Sequence, residues 1–69
     1  MFIKIYSKSI GKENLITAEF LYGKHFFRAT STKTENHALL NLQNKIKNSN
    51  LSILNQSIAI MEIKKYKGE

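Results

Sequence analysis

Apolar and polar residues alternate from Phe2 to Ile10, with Ile3 and Ile5 on one side and Phe2, Lys4, Tyr6 and Lys8 on the other. This period of two predicts a half-buried antiparallel strand. Similar runs follow at 15–22 and 25–30, separated by Gly11-Lys12-Glu13-Asn14 and by Gly23-Lys24. Gly at the first position of a two-residue loop marks a type II′ turn, with I′ as the other option. With Gly23-Lys24 as the loop, Tyr22 faces His25, Leu21 faces Phe26, and Phe20 faces Phe27. Beyond them Glu19 faces Arg28, Ala18 faces Ala29, and Thr17 faces Thr30. Aromatic, opposite-charge and Thr–Thr neighbours of this kind each contribute a few tenths to about 1 kcal/mol. Taking Gly11–Asn14 as a four-residue loop pairs Ile10 with Leu15, Ser7 with Ala18, Ile5 with Phe20 and Ile3 with Tyr22. Both registers put Ile3, Ile5, Ile16, Ala18, Phe20, Tyr22, Phe27 and Ala29 on one apolar face.

After the meander, the period changes. Leu39, Leu42 and Ile46 recur at helical spacing beside Ala38, with no Gly or Pro up to Asn48. Thr32 followed by Glu35 fits a capping box, Lys45 and Lys47 complement the dipole in the last turn, and Asn48 suits a left-handed C-cap. These features predict an amphipathic helix over about 33–48, with Leu40 at its edge. Residues 51–57 read as a connection, with Leu51, Ile53 and Leu54 at the rim. The Ile-rich run 57–66 reads as a fourth strand, apolar on both faces, which calls for a bulge near Met61 or a second covered surface. The expected fold class is α+β: a single two-layer β-β-β-α-β domain over 1–69. That order is shared with three-stranded DNA-binding modules of phage integrases and with small antitoxin domains, but no residue motif links the chain to either.

Composition narrows the chemistry. The 69 residues contain no Cys, which removes a disulfide framework, thiolate metal sites and Cys nucleophiles. All acidic residues are Glu, and without Asp, carboxylate dyads, Mg²⁺ sites and Ser-His-Asp arrangements are hard to build. No run approaches the ~18 apolar residues of a membrane helix. The N-terminus alternates Lys with Ile instead of forming a signal-peptide core, and Met1-Phe2 reads as a native start. The expectation is a cytoplasmic protein with no membrane partner. A net charge of +6 favours polyanions, although a Lys-, Asn- and Ile-rich, Pro-free composition is also what an AT-rich genome encodes.

Four features invite a functional reading. The sheet face away from the helix carries Phe2, Lys4, Tyr6, Lys8, Thr17, Leu21, Phe26, Arg28 and Thr30, with Glu19 its sole acid. Cations interleaved with aromatics suit nucleic acid: Lys and Arg meet phosphates, and Phe and Tyr offer planes to unstacked bases. The bland alternative is a solvated outer face, but four large apolar side chains are more than a small monomer comfortably exposes. Lys64, Lys65 and Lys67 form a basic tail that suits phosphate contact or simply keeps the protein soluble. His25 and His37 are the minimum for metal-free RNA cleavage, yet the topology sets them at opposite ends of the sheet. Two His and scattered Glu lack zinc-ligand spacing. Asn36, Asn41 and Asn44 on the helix read as composition bias.

The sequence therefore predicts a non-enzymatic nucleic-acid-binding protein without cofactor or metal, RNA slightly favoured over DNA. Its expected contacts are Lys4, Tyr6, Lys8, Phe26, Arg28, Lys64, Lys65 and Lys67. The alternative is a protein-interaction module, antitoxin-like or a phage-encoded inhibitor, acting on a protein partner or a toxin–RNA complex, or as a homodimer completed by the fourth strand.

Overall fold

The computed structural model describes residues 2–67; Met1 lies outside them. Three strands, β1 (Phe2–Ile10), β2 (Glu13–Tyr22) and β3 (His25–Ser31), precede two helices, α1 (Glu35–Lys47) and α2 (Ile53–Tyr66). The sheet is an antiparallel meander in the order β1-β2-β3. The class is α+β, but the element order is β-β-β-α-α.

The β2–β3 register is the expected one, from Tyr22 opposite His25 out to Thr17 opposite Thr30. The first hairpin is tighter than expected. Its loop is Gly11-Lys12, so Ile10 faces Glu13, Ile5 faces Ala18 and Ile3 faces Phe20. Both glycines have φ near +60° and neither following Lys has positive φ, which is type II′ geometry at each turn. The register differs by two residues from the one expected, and an even shift leaves every side chain on its intended face.

Helix α1 begins two residues later than the capping box implied. The N-cap is Thr34, whose Oγ1 accepts from the His37 N–H at 3.0 Å. Thr32 is exposed, while Ser31 Oγ accepts the Lys33 N–H and holds the intervening turn. At the other end Asn48 has φ −96°, so it closes the helix without the left-handed conformation.

The predicted fourth strand, 57–66, is helical, and so is most of the predicted connection. Ser52 caps α2 by accepting the Asn55 N–H, and no Gly or Pro interrupts the 14 residues that follow. Apolar residues on both faces of a supposed strand are what a helical stripe looks like when counted in twos. Ala59 and Ile63, four apart, are fully buried, with Ile60 packed beside them. Leu51 is buried as the rim residue expected, but Ile53 and Leu54 are exposed.

The core lies between the sheet and the helix pair. Phe20, Leu39, Leu42, Ile46 and Ile63 are its largest fully buried side chains, and Ala18, Ala29, Ala38 and Ala59 fill the contact positions between them. Ile3, Ile5, Ile16, Tyr22 and Phe27 pack around this centre. Tyr22 Oη donates to Asn55 Oδ1 at 3.0 Å and ties the end of β2 to the start of α2. The two candidate caps of α1 are separable by experiment. Thr34→Ala is expected to lower unfolding free energy by about 1 kcal/mol, with Thr32→Ala near neutral. Denaturant midpoints that rank them the other way would place the cap at Thr32.

Candidate nucleic-acid interface

The sheet face opposite the helices is ordered in rows that run across the strands. Phe2, Leu21 and Phe26 form an apolar row, Lys4, Glu19 and Arg28 a charged row, and Tyr6, Thr17 and Thr30 a hydroxyl row. Lys8 lies beyond, opposite Leu15. The apolar row is open to solvent: Phe2, Leu21 and Phe26 are 60%, 45% and 53% exposed.

Glu19 organises the face. Its Oε2 accepts from Tyr6 Oη at 3.0 Å and from Arg28 Nε at 2.9 Å, and Arg28 Nη2 closes an ion pair at 2.8 Å. Lys4 Nζ stands 5.3 Å from the centre of the Tyr6 ring, and the Arg28 guanidinium 5.5 Å from that of Phe26. These are cation–π separations. Beneath them Thr17 is buried although it points to the outer face.

The Tyr6 hydrogen bond, ahead of the Arg28 guanidinium and the Lys4 charge, holds the Glu19 carboxyl below its ordinary pKa, and partial desolvation works against it. The same hydrogen bond, followed by desolvation and the Glu19 charge, pushes the Tyr6 phenol up, while Arg28 opposes this. Arg28 therefore meets the solvent as a partly compensated charge, whereas Lys8 stands opposite Leu15; Glu13, expected in the loop, is the first residue of β2 and adds a second acid to this face beside Glu19.

Of the expected contacts, Lys4, Tyr6, Lys8, Phe26 and Arg28 share this one face. Lys64 and Lys65 do not join them. They belong to the last turn of α2, in the layer on the other side of the sheet, and not to a tail beyond it. Lys65 pairs with Glu62 at 3.5 Å, and Lys67 is the C-cap of α2.

His25 opens β3 at the hairpin turn and stacks near Phe27, with ring centres 6.4 Å apart. His37 lies past the opposite end of that strand, where its Nδ1 shares a 2.7 Å hydrogen bond with Ser31 Oγ. A Ser–His contact can activate a nucleophile. Here the hydroxyl is buried and also accepts the Lys33 N–H, so the pair staples the β3–α1 connection. Among the described residues no group of three or more His, Cys, Asp or Glu is placed to hold a metal ion, and no helix is long and apolar enough to cross a membrane. Comparison with protein-family models, curated proteins and solved structures finds no match for this chain.

The Glu19–Tyr6–Arg28 cluster makes a pH-dependent prediction. Glu19 holds a proton less readily folded than unfolded, so its contribution to stability is present above about pH 4.3 and lost as pH falls through the depressed folded value. Tyr6 acts in the opposite sense, its contribution fading above about pH 10. Denaturant midpoints followed against pH should fall less steeply in acid for Glu19→Gln than for the unmodified chain, and parallel profiles would show that the cluster has no energetic weight. Tyrosinate absorbance should lose a component above about pH 10 in Tyr6→Phe.

Proposed function

We propose that this protein is a non-enzymatic nucleic-acid-binding module that takes up a single-stranded or unpaired segment, RNA in preference to DNA, on the outer face of its sheet. The observation that carries this reading is the apolar row Phe2–Leu21–Phe26 lying directly beside the charged row Lys4–Glu19–Arg28. Successive same-face rows are about 7 Å apart, a separation that lets a base rest on an aromatic ring while its phosphate meets a cation of the next row. Aromatic stacking is worth about 1–3 kcal/mol per base and tolerates any sequence. The cations supply an affinity that falls with salt.

Rings outnumber guanidinium groups on this face, and the face carries no helix to enter a major groove, which favours unpaired substrate over duplex. Lys4 and Arg28 rest against Tyr6 and Phe26. From these positions they would meet phosphates, with bases stacking on the ring surfaces left open. Lys64, Lys65 and Lys67, in the opposite layer, have no part in this contact.

Binding of a fluorescent oligouridylate should weaken linearly in log–log plots against salt, by about 0.7 per phosphate neutralised. Lys4→Glu with Lys8→Glu should lower affinity by at least a hundredfold, and Phe2→Ala with Phe26→Ala by about tenfold or more. Lys64→Glu with Lys65→Glu should stay within a fewfold of the unmodified chain. Equal losses in all three double variants would mean diffuse charge attraction without a site on the sheet.

A further inference from the structure

The two edges of the sheet are treated differently. In a hairpin with a two-residue loop the residues flanking the loop form a hydrogen-bonded pair, and such pairs recur at every second position. On β3 this turns the backbone groups of Phe26, Arg28 and Thr30 outward. Helix α1 covers part of that edge: Asn41 Nδ2 donates to the Thr30 carbonyl at 2.9 Å, and Lys45 Nζ donates to the Arg28 carbonyl. On β1 the same parity turns Ile3, Ile5, Ser7 and Ser9 outward, and among the described residues no side chain is seen to hydrogen-bond to their carbonyls, in contrast to Thr30 and Arg28. An unpaired strand edge is a template for another strand.

We propose that β1 pairs antiparallel with β1 of a second copy, centred on Ile5, to make a continuous six-stranded sheet. The side chains themselves select this occupant and register. Backbone parity allows two-fold pairing centred on any single residue but not between residues. Centring on Lys4 sets Lys4 against itself, and centring on Tyr6 sets Lys4 against Lys8 twice, both like-charge contacts that destabilise a sheet. Centring on Ser7 leaves Phe2 and Ile3 unpaired. Centring on Ile5 sets Lys4 against Tyr6, Phe2 against Lys8, Ile3 against Ser7 and Ile5 against itself. Every outer-face neighbour across this seam is a cation beside an aromatic ring.

The inner face agrees. A groove of about 300 Å³ lined by Ile3, Phe20, Glu62, Lys65 and Tyr66 lies over the start of β1. Ile3, on the edge strand, is one of its walls, and the pairing would set Ser7 of the second copy beside it. The pairing is made by the backbone edge of β1 and leaves its rings and cations on the outer face, so it can hold or fail independently of the nucleic-acid reading.

Light scattering on nuclease-treated protein in 0.3 M salt should give twice the 8.0 kDa chain mass, and a single-chain mass at several hundred micromolar would overturn the proposal. In amide exchange the N–H groups of Ile3, Ile5 and Ser7 should be protected in proportion to protein concentration, while those of Phe26 and Thr30 should not. Fast exchange at all three β1 sites would overturn it as well. Ser7→Pro removes only an outward N–H and should give a folded single chain by circular dichroism, with Thr30→Pro on the other edge still paired. A folded Ser7→Pro that keeps the double mass would refute the edge.

The chain has no cysteine, so single-cysteine variants test the register in otherwise unmodified protein. Ile5→Cys should cross-link to its own copy on oxidation. Ser7→Cys, offset by about 14 Å along the strand, should not, and the reverse pattern would overturn the register.

Discussion

Successive side chains of a strand point to opposite faces, so the two Gly-Lys turns at Gly11 and Gly23 decide what every residue from Phe2 to Ser31 faces. With positive φ at each glycine the loops stay at two residues, and Ile3, Ile5, Ala18, Phe20, Phe27 and Ala29 fall on one side together. The helices can then cover the sheet with few large side chains. Phe20 is fully buried, and the alanines beside it and on α1 and α2 let the layers close around it. Beyond the reach of the helices the inner face turns polar: Ser9 Oγ bonds Asn14 Oδ1 at 3.0 Å, and that end of the first hairpin needs no cover.

How much of this could be read from sequence follows the same logic. The second hairpin was legible to the residue because three favourable pairs depended jointly on one register. The first was misjudged by two residues because Glu13 and Asn14 pass equally well as loop or strand, an ambiguity that costs nothing in facing since parity is preserved. The run 57–66 failed for a different reason. Ile58, Ile60 and Ile63 favour strands in isolation, but local propensity is weak beside the burial that Ala59 and Ile63 gain against the sheet and α1. The helical signal was present in Ser52, in the absence of Gly and Pro, and in the spacing of Ala59 and Ile63. Counting in twos concealed it.

On the outer face the sequence showed which residues are neighbours across strands and little of how they interact. Glu19 opposite Arg28 follows from register alone. The Tyr6–Glu19 bond runs diagonally between β1 and β2, so it depends on side-chain direction as well as on pairing. The basic C-terminal cluster was expected on a tail, because the last element read as a strand ending near Tyr66; Lys64 and Lys65 instead lie in the last turn of α2. Once Ile53–Tyr66 is a helix packed on the inner face, Lys64 and Lys65 cannot extend the outer one.

An acid at the centre of a basic face reduces its charge, and the geometry shows what it contributes in return. Without Glu19, Lys4 and Arg28 would flank β2 with nothing between them, and each long side chain would be free to wander. With it, one carboxylate oxygen fixes the Tyr6 hydroxyl and the Arg28 guanidinium, and each of the two flanking cations stands over a ring. Ordering side chains before a ligand arrives lowers the entropy lost on binding. The three-row face thus gives up part of its long-range attraction for a surface whose rings and cations are already set in place, which suits recognition of an extended partner more than diffuse adhesion to any polyanion.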